Sequence, residues 1–300
     1  MKWLRPALAF AALILLSACM VLSEPSQAAT TEPTPLVIYV IATNAPATVT
    51  PAATATSTAT PIVCGETVGT ITELQIDSVE LGEPLTFTVY LPACYDAANP
   101  GGYPVLYMLH GQGMTDTYWP SIGIADAADA MIQAGTPPFI MVFPNEVHNW
   151  DDPDTAKFGD AFINELVPYI ENRYNICPQR SCHAIGGLSR GAGWAMHIGL
   201  SNLEKFGSIG AHSLGYFGGD LYLAHRQLQA HTLDDFPRIY MDRGDEDYLS
   251  PSIDMFERTL TNTGIPHEFI INPGFHNTAY WKEQAQTYLE WYVAGFPPAD

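Results

Sequence analysis

Six short, nearly continuous apolar runs, most of them followed by a segment with helical spacing, constrain this chain more than any other feature. They are Val105-Leu106-Tyr107-Met108-Leu109, Phe139-Ile140-Met141-Val142-Phe143, His183 to Leu188, Gly207 to His212, Arg238 to Asp242 and His267 to Ile271. A strand that is apolar at successive positions, not at alternate ones, has both faces covered. Helical patterns fall between them: Ile124 to Gln133, Phe158 to Asn172, Arg190 to Gly199, Ser252 to Thr261 and Thr278 to Val293. Strands alternating with helices in this way predict a mainly parallel sheet with helices on both faces. Ahead of them, Val68 to Val79 and Pro84 to Leu91 alternate in polarity and read as an antiparallel strand pair.

This pattern starts near Cys64 and assigns 64–300 to one domain, about 235 residues long. Residues 1–18 have the form of an export signal. Lys2 and Arg5 precede the apolar run Ala7 to Leu16, which is too short for a comfortable membrane span. Leu16-Ser17-Ala18-Cys19 resembles the lipobox of bacterial lipoproteins, which implies lipid attachment at Cys19 and anchoring to the outer face of a membrane. Cleavage of an ordinary secretory signal after Ala28-Ala29 is the competing reading. Residues 19–63 are rich in Thr, Ala and Pro and read as an extended tether. Leu36-Val37-Ile38-Tyr39-Val40-Ile41 departs from that composition as a β-prone run with no assigned place.

Four cysteines remain after Cys19: Cys64, Cys94, Cys177 and Cys182, an even number in an exported chain. The short Cys177 to Cys182 spacing suits a closed loop, which leaves Cys64 to pair with Cys94, although spacing alone permits three connectivities. No C-x-x-C pair is present, so no metal site is expected. Acidic residues outnumber basic ones 32 to 12; without Lys2 and Arg5 the balance is 10 against 32, a charge of −22. Such a surface disfavours nucleic acid and anionic lipid as partners.

Gly187-Leu188-Ser189-Arg190-Gly191 is a G-x-S-x-G sequence set between an apolar strand and a helix. Alone the pattern is weak, and a Gly-rich turn with an N-capping serine would also produce it. In this context it is the sharp strand-to-helix turn that exposes a nucleophilic serine. A serine hydroxyl needs a base, and the partners in such a fold follow in the order Ser, Asp or Glu, His. His276 lies between the last strand and the last helix, where that base belongs. His183 and His197 read as core or structural residues, and His225, His231 and His267 as surface or packing residues. His212, at a strand end, is a second candidate near the site. The loop after Arg238 to Asp242 offers Asp242, Asp245, Glu246 and Asp247 as orienting acids; their spacing does not match a calcium-binding loop. Backbone donors for an oxyanion are expected from Arg190, next to the nucleophile, and from Gln112 in His110-Gly111-Gln112-Gly113.

From about Thr86 to Val293 these motifs together resemble the putative-esterase (esterase D-like) family of α/β-hydrolases, which includes feruloyl esterases, enterochelin esterase, S-formylglutathione hydrolase and mycolyltransferases. The likeness rests on Tyr90-Leu91-Pro92, Tyr103 to Gly111, Glu165 to Glu171, Gly186 to Gly191 and Gly274 to Trp281. Ala192 stands where the family usually has a third glycine. The resemblance implies the α/β-hydrolase fold and a Ser-His-Asp esterase without a cofactor. A G-x-x-D pattern points to Asp247 as the acid, with Asp245 as the alternative. Trp119, Asn145, Glu146, His148, Trp150, Tyr216 and Phe217 are candidates to line the substrate cleft, and His212, ending a strand at the rim, is a second-tier candidate for it. The substrate expected is an ester, free or linked to polysaccharide. Acyl transfer and a non-catalytic carbohydrate-binding role remain as alternatives, and the oligomeric state is left open.

Overall fold

The computed structural model describes residues 38–40 and 65–298. The expected signal, Cys19, Cys64 with its pairing to Cys94, and the tether apart from Ile38–Val40 lie outside the described residues. The strands are β1 (Ile38–Val40), β2 (Thr70–Asp77), β3 (Pro84–Leu91), β4 (Val105–Leu109), β5 (Ile140–Pro144), β6 (His183–Leu188), β7 (Ser208–His212), β8 (Arg238–Gly244) and β9 (Glu268–Asn272). They form one sheet in the order β1-β9-β8-β7-β6-β4-β5-β3-β2. From β5 through β4, β6, β7 and β8 to β9 all pairings are parallel. The β2–β3 pair is antiparallel and joins the sheet through β5, as the alternation in its sequence predicts.

The helices are α1 (Tyr118–Ser121), α2 (Ile124–Gln133), α3 (Phe158–Ala161), α4 (Val167–Arg173), α5 (Arg190–Ser201), α6 (Asp220–Ala230), α7 (Ser250–Thr263) and α8 (Thr278–Val293), with a π turn at Phe162–Leu166 between α3 and α4. They divide between the two sheet faces. Leu106 and Met108 of β4 pack with Ile124 and Ala128 of α2 and with Tyr288 and Leu289 of α8. Val105, Tyr107 and Leu109 of the same strand pack with Phe162, Ala192 and Ile198 on the other face. Burial of both alternating sets is why β4 shows no polar alternation: all five of its residues are buried.

Helices α1 and α6 and the edge strand β1 were not assigned from sequence. Helix α6 occupies the stretch read as a small insertion at 214–235. Ile38–Val40 forms an edge strand antiparallel to β9, with Ile38 opposite Ile270 and Val40 opposite Glu268, which places part of the β-prone run. Cys177 and Cys182 are disulfide-bonded with Cα atoms 5.9 Å apart, at the end of β6 remote from Ser189. No helix among the described residues is long and apolar enough to cross a membrane.

Candidate active site

Strand β6 delivers Ser189 to the sheet's carboxyl edge, and α5 begins at the next residue. Between them Ser189 holds φ +54° and ψ −120°, a region a residue with a side chain rarely adopts. Three backbone bonds hold it there: its N–H donates to His212 O at 2.9 Å, and its carbonyl accepts from Gly193 N–H at 3.1 Å and Gly215 N–H at 3.0 Å. The turn needs glycine on both sides. A Cβ on Gly187 would fall 2.6 Å from Gly191 C and 2.7 Å from Leu109 O, and one on Gly191 would run into the carbonyls of Leu109 and His110.

His276 sits in the loop between β9 and α8, where Asn277 caps the helix by accepting Tyr280 N–H at 3.1 Å. Its Nε2 is 2.9 Å from Ser189 Oγ, and its Nδ1 is 3.0 Å from both carboxylate oxygens of Asp247. A carboxylate facing Nδ1 keeps the proton on that nitrogen, leaving the Nε2 lone pair for the serine hydroxyl. The Trp281 ring packs edge-on to the imidazole, centroids 5.0 Å apart, and its indole N–H donates to Ser213 Oγ at 3.1 Å.

Asp247 is buried at 2% exposure and accepts Leu249 N–H at 2.8 Å. Burial raises its pKa, but hydrogen bonds from His276, the Leu249 amide and Ser213 outweigh this and hold the carboxyl below its usual range. Asp245, the alternative acid, instead accepts Gly274 N–H at 2.8 Å and so braces the loop carrying His276. Asp242, another acid in the sequence reading, is fully buried with His212.

The turn after β4 adjoins the elbow: a Cβ on Gly111 would lie 3.4 Å from Ser189 Cβ. Among the described residues, neither the Gln112 nor the Arg190 backbone N–H has a protein acceptor. Both residues, with Ser189, Tyr216, Phe217 and Tyr248, line an open cleft of about 410 Å³.

The expected cleft set divides. Tyr216 and Phe217 are on the cleft wall. Trp150 is exposed beside the turn after β4, its ring 3.7 Å from where a Gly113 Cβ would be. Trp119 does not line the cleft: it is fully buried, with its indole N–H donating to Leu109 O at 3.0 Å. His212 is likewise fully buried, because a residue at a strand end faces the covering helix α8, not the rim. His148 pairs with Glu83 at 2.5 Å and borders a separate depression with Val147 and Lys157. Sequence reasoning missed Tyr248, whose exposed ring lies 4.7 Å from the His276 ring and adjoins the cleft; it lies one residue beyond Asp247.

Comparison with known proteins bears on the family and the fold. The Putative esterase family model matches residues 78–291. The chain is 32% identical over 165 residues to an endo-1,4-beta-xylanase/feruloyl esterase of Xylanibacter ruminicola, covering 50% of this chain but only 22% of that protein. Among solved structures, a ferulic acid esterase superposes with a TM-score of 0.69 at 24% identity, covering 77% of this chain and all of that one. An S-formylglutathione hydrolase from Staphylococcus aureus superposes with a TM-score of 0.65 at 19% identity, over 75% of this chain and 99% of its own. The fold is that of the α/β-hydrolase esterases, and the chain belongs to the Putative esterase family.

Proposed function

We propose that the protein is a serine carboxylesterase whose Ser189, His276 and Asp247 form the catalytic triad. The observation that carries this is the continuous hydrogen-bonded chain from Asp247 through His276 to Ser189 Oγ. In this reading Ser189 Oγ attacks the ester carbonyl while His276 Nε2 takes its proton. The carbonyl oxygen becomes an anion held by the Gln112 and Arg190 amides. Collapse breaks the bond to the alcohol oxygen, which leaves with the proton from His276. Water, deprotonated by the same nitrogen, then attacks the acyl-enzyme, and the acid departs as Ser189 regains its proton.

The cleft supports an uncharged ester with an aromatic or sugar component. Tyr216, Phe217 and Tyr248 offer ring surfaces, while Asp152 and Asp154 stand on the wall and the Arg190 guanidinium is paired with Glu146. A feruloyl ester on a neutral sugar fits that description. The tripeptide thioester S-formylglutathione, a net anion, fits it less well. The open mouth admits water, which favours hydrolysis over acyl transfer. The Cys177–Cys182 disulfide and the signal-like start favour an extracytoplasmic location, with Cys19 as the lipid anchor.

Hydrolysis of methyl ferulate and p-nitrophenyl acetate, with Ser189→Ala alongside, tests the reading. Activity on neither ester would contradict it, and so would full activity in the variant.

A further inference from the structure

The two amides assigned to the oxyanion belong to different elements. Arg190 opens α5, whereas Gln112 lies in the turn after β4. Their separation must be maintained by something that touches both. The loop after β5 does so, through two buried residues that lie outside the triad.

Glu146 is 4% exposed. Its carboxylate accepts Arg190 Nε–H on both oxygens, at 3.0 and 2.9 Å, and Nη2–H at 2.5 Å. Arg190 Nη2 also donates to Asp151 O at 2.9 Å in the same loop. This bidentate pairing fixes the residue that carries one oxyanion donor. Glu146 reaches the other half with its main chain, whose N–H donates to His110 Nε2 at 2.9 Å. With Nε2 accepting, the proton is on Nδ1, which donates to Gly111 O at 2.8 Å. That carbonyl and the Gln112 N–H belong to one planar peptide and point in opposite directions. Holding Gly111 O therefore aims the Gln112 N–H.

Asn149, 6% exposed, closes the remaining side. Its Oδ1 accepts Gly113 N–H at 2.9 Å, and its Nδ2 donates to Glu146 O at 3.0 Å and Met114 O at 3.3 Å. One loop thus grips both ends of the turn and the first residue of α5.

We propose that Glu146 and Asn149 are positioning residues that set the geometry of the oxyanion site by tying the Arg190 and Gln112 amides to one loop. The proposal rests on the reading of Ser189 as the nucleophile. It predicts a defect in the tetrahedral state, not in substrate binding.

The test is steady-state hydrolysis of p-nitrophenyl acetate by the full chain and by Glu146→Gln and Asn149→Ala. Inhibition by phenylboronic acid, which forms a tetrahedral anion on a serine hydroxyl, is measured in parallel. Each variant is expected to lose roughly 10- to 100-fold in kcat, less than the 10²–10³ of deleting a donor. KM should stay within about twofold, and boronate affinity should fall by the same factor as kcat. Circular dichroism identifies the folded variants. If Glu146→Gln does not fold, Asn149→Ala decides alone. Wild-type kcat in a folded variant would overturn the proposal, as would a fall in kcat with boronate affinity unchanged. Ser189→Ala separates the two readings: activity in that variant refutes the nucleophile, whereas its inactivity beside unaffected clamp variants refutes only the clamp.

Discussion

His212 Nδ1 lies 2.7 Å from Asp242 Oδ1, forming a second, wholly buried histidine–aspartate pair behind the one that faces Ser189. Its Nε2 meets the Tyr292 hydroxyl at 3.1 Å, and its ring stacks on Tyr288 with centroids 3.5 Å apart. Asp242 Oδ2 accepts the hydroxyls of Tyr280 and Tyr288 at 2.5 and 2.8 Å. Burial and the Asp242 charge push both phenols far above their ordinary pKa, so both remain donors. The cluster also reaches the elbow, since His212 O accepts the Ser189 N–H. The same two residue types therefore occupy two depths, one pair in contact with Ser189 Oγ and one sealed beneath α8.

The two aspartates should separate stability from activity. Asp242→Asn leaves several buried donors facing an amide and is expected to lower unfolding stability by about 3–5 kcal/mol. The folded fraction should keep kcat/KM within a few-fold. Asp247→Asn should instead lower kcat by about 10⁴. Urea unfolding together with p-nitrophenyl acetate kinetics on both variants checks the contrast.

Asp245→Asn removes one charged acceptor from Gly274 N–H and no contact to His276. A hydrogen bond of this kind contributes about 1–3 kcal/mol. The expected result is a lower urea midpoint with kcat reduced less than about tenfold. A loss comparable to that of Asp247→Asn would transfer the acid role to Asp245.

Stability should also depend on His110. Burial lowers its pKa below the ordinary value, outweighing the raising effects of Gly111 and Glu146. The unfolded chain therefore takes up the proton first. The stability due to neutral His110 is complete above about pH 6.5 and is lost as pH falls through the lower folded value. Protonation would also turn Nε2 into a donor against the Glu146 N–H. Wild type should lose stability below about pH 6.5 in urea titrations, and His110→Asn should show a flatter profile there. Asp247 acts in the same direction in a lower window, from about pH 3.9 downward.

Charge on the cleft wall should select among esters. Wild type is expected to hydrolyse p-nitrophenyl acetate with a higher kcat/KM than the mono-p-nitrophenyl ester of succinate. The gap should narrow several-fold in Asp152→Asn/Asp154→Asn. It should also narrow with added salt, since screening acts over about 10 Å at 0.1 M. An unchanged gap in the double variant would remove these carboxylates from the account of specificity.

The central sheet and the serine elbow were legible in the sequence because local rules dictate them. Both faces of β4 are covered, so its residues are apolar throughout; Gly187 and Gly191 flank Ser189 because backbone carbonyls leave no room for a Cβ. His276 was placed by its order along the chain, but order left four acids open, and only the family's G-x-x-D pattern pointed to Asp247, the one that meets His276. Trp119 and His212 were not legible, since a polar or aromatic residue at a strand end reads the same whether it faces solvent or a covering helix. Helix α6 was hidden by its weak pattern: of its eleven residues only Asp220, Leu223 and Ala224 are buried. The clamp made by Glu146 and Asn149 depends on three separate segments meeting, which no local pattern reports.

The most direct measurement is mass spectrometry of the full chain after rapid acid quench during turnover of p-nitrophenyl acetate. An acetyl group is predicted on Ser189, absent in Ser189→Ala, whose kcat should fall by at least about 10³. Activity retained in Ser189→Ala, with acetyl on another residue, would contradict the account.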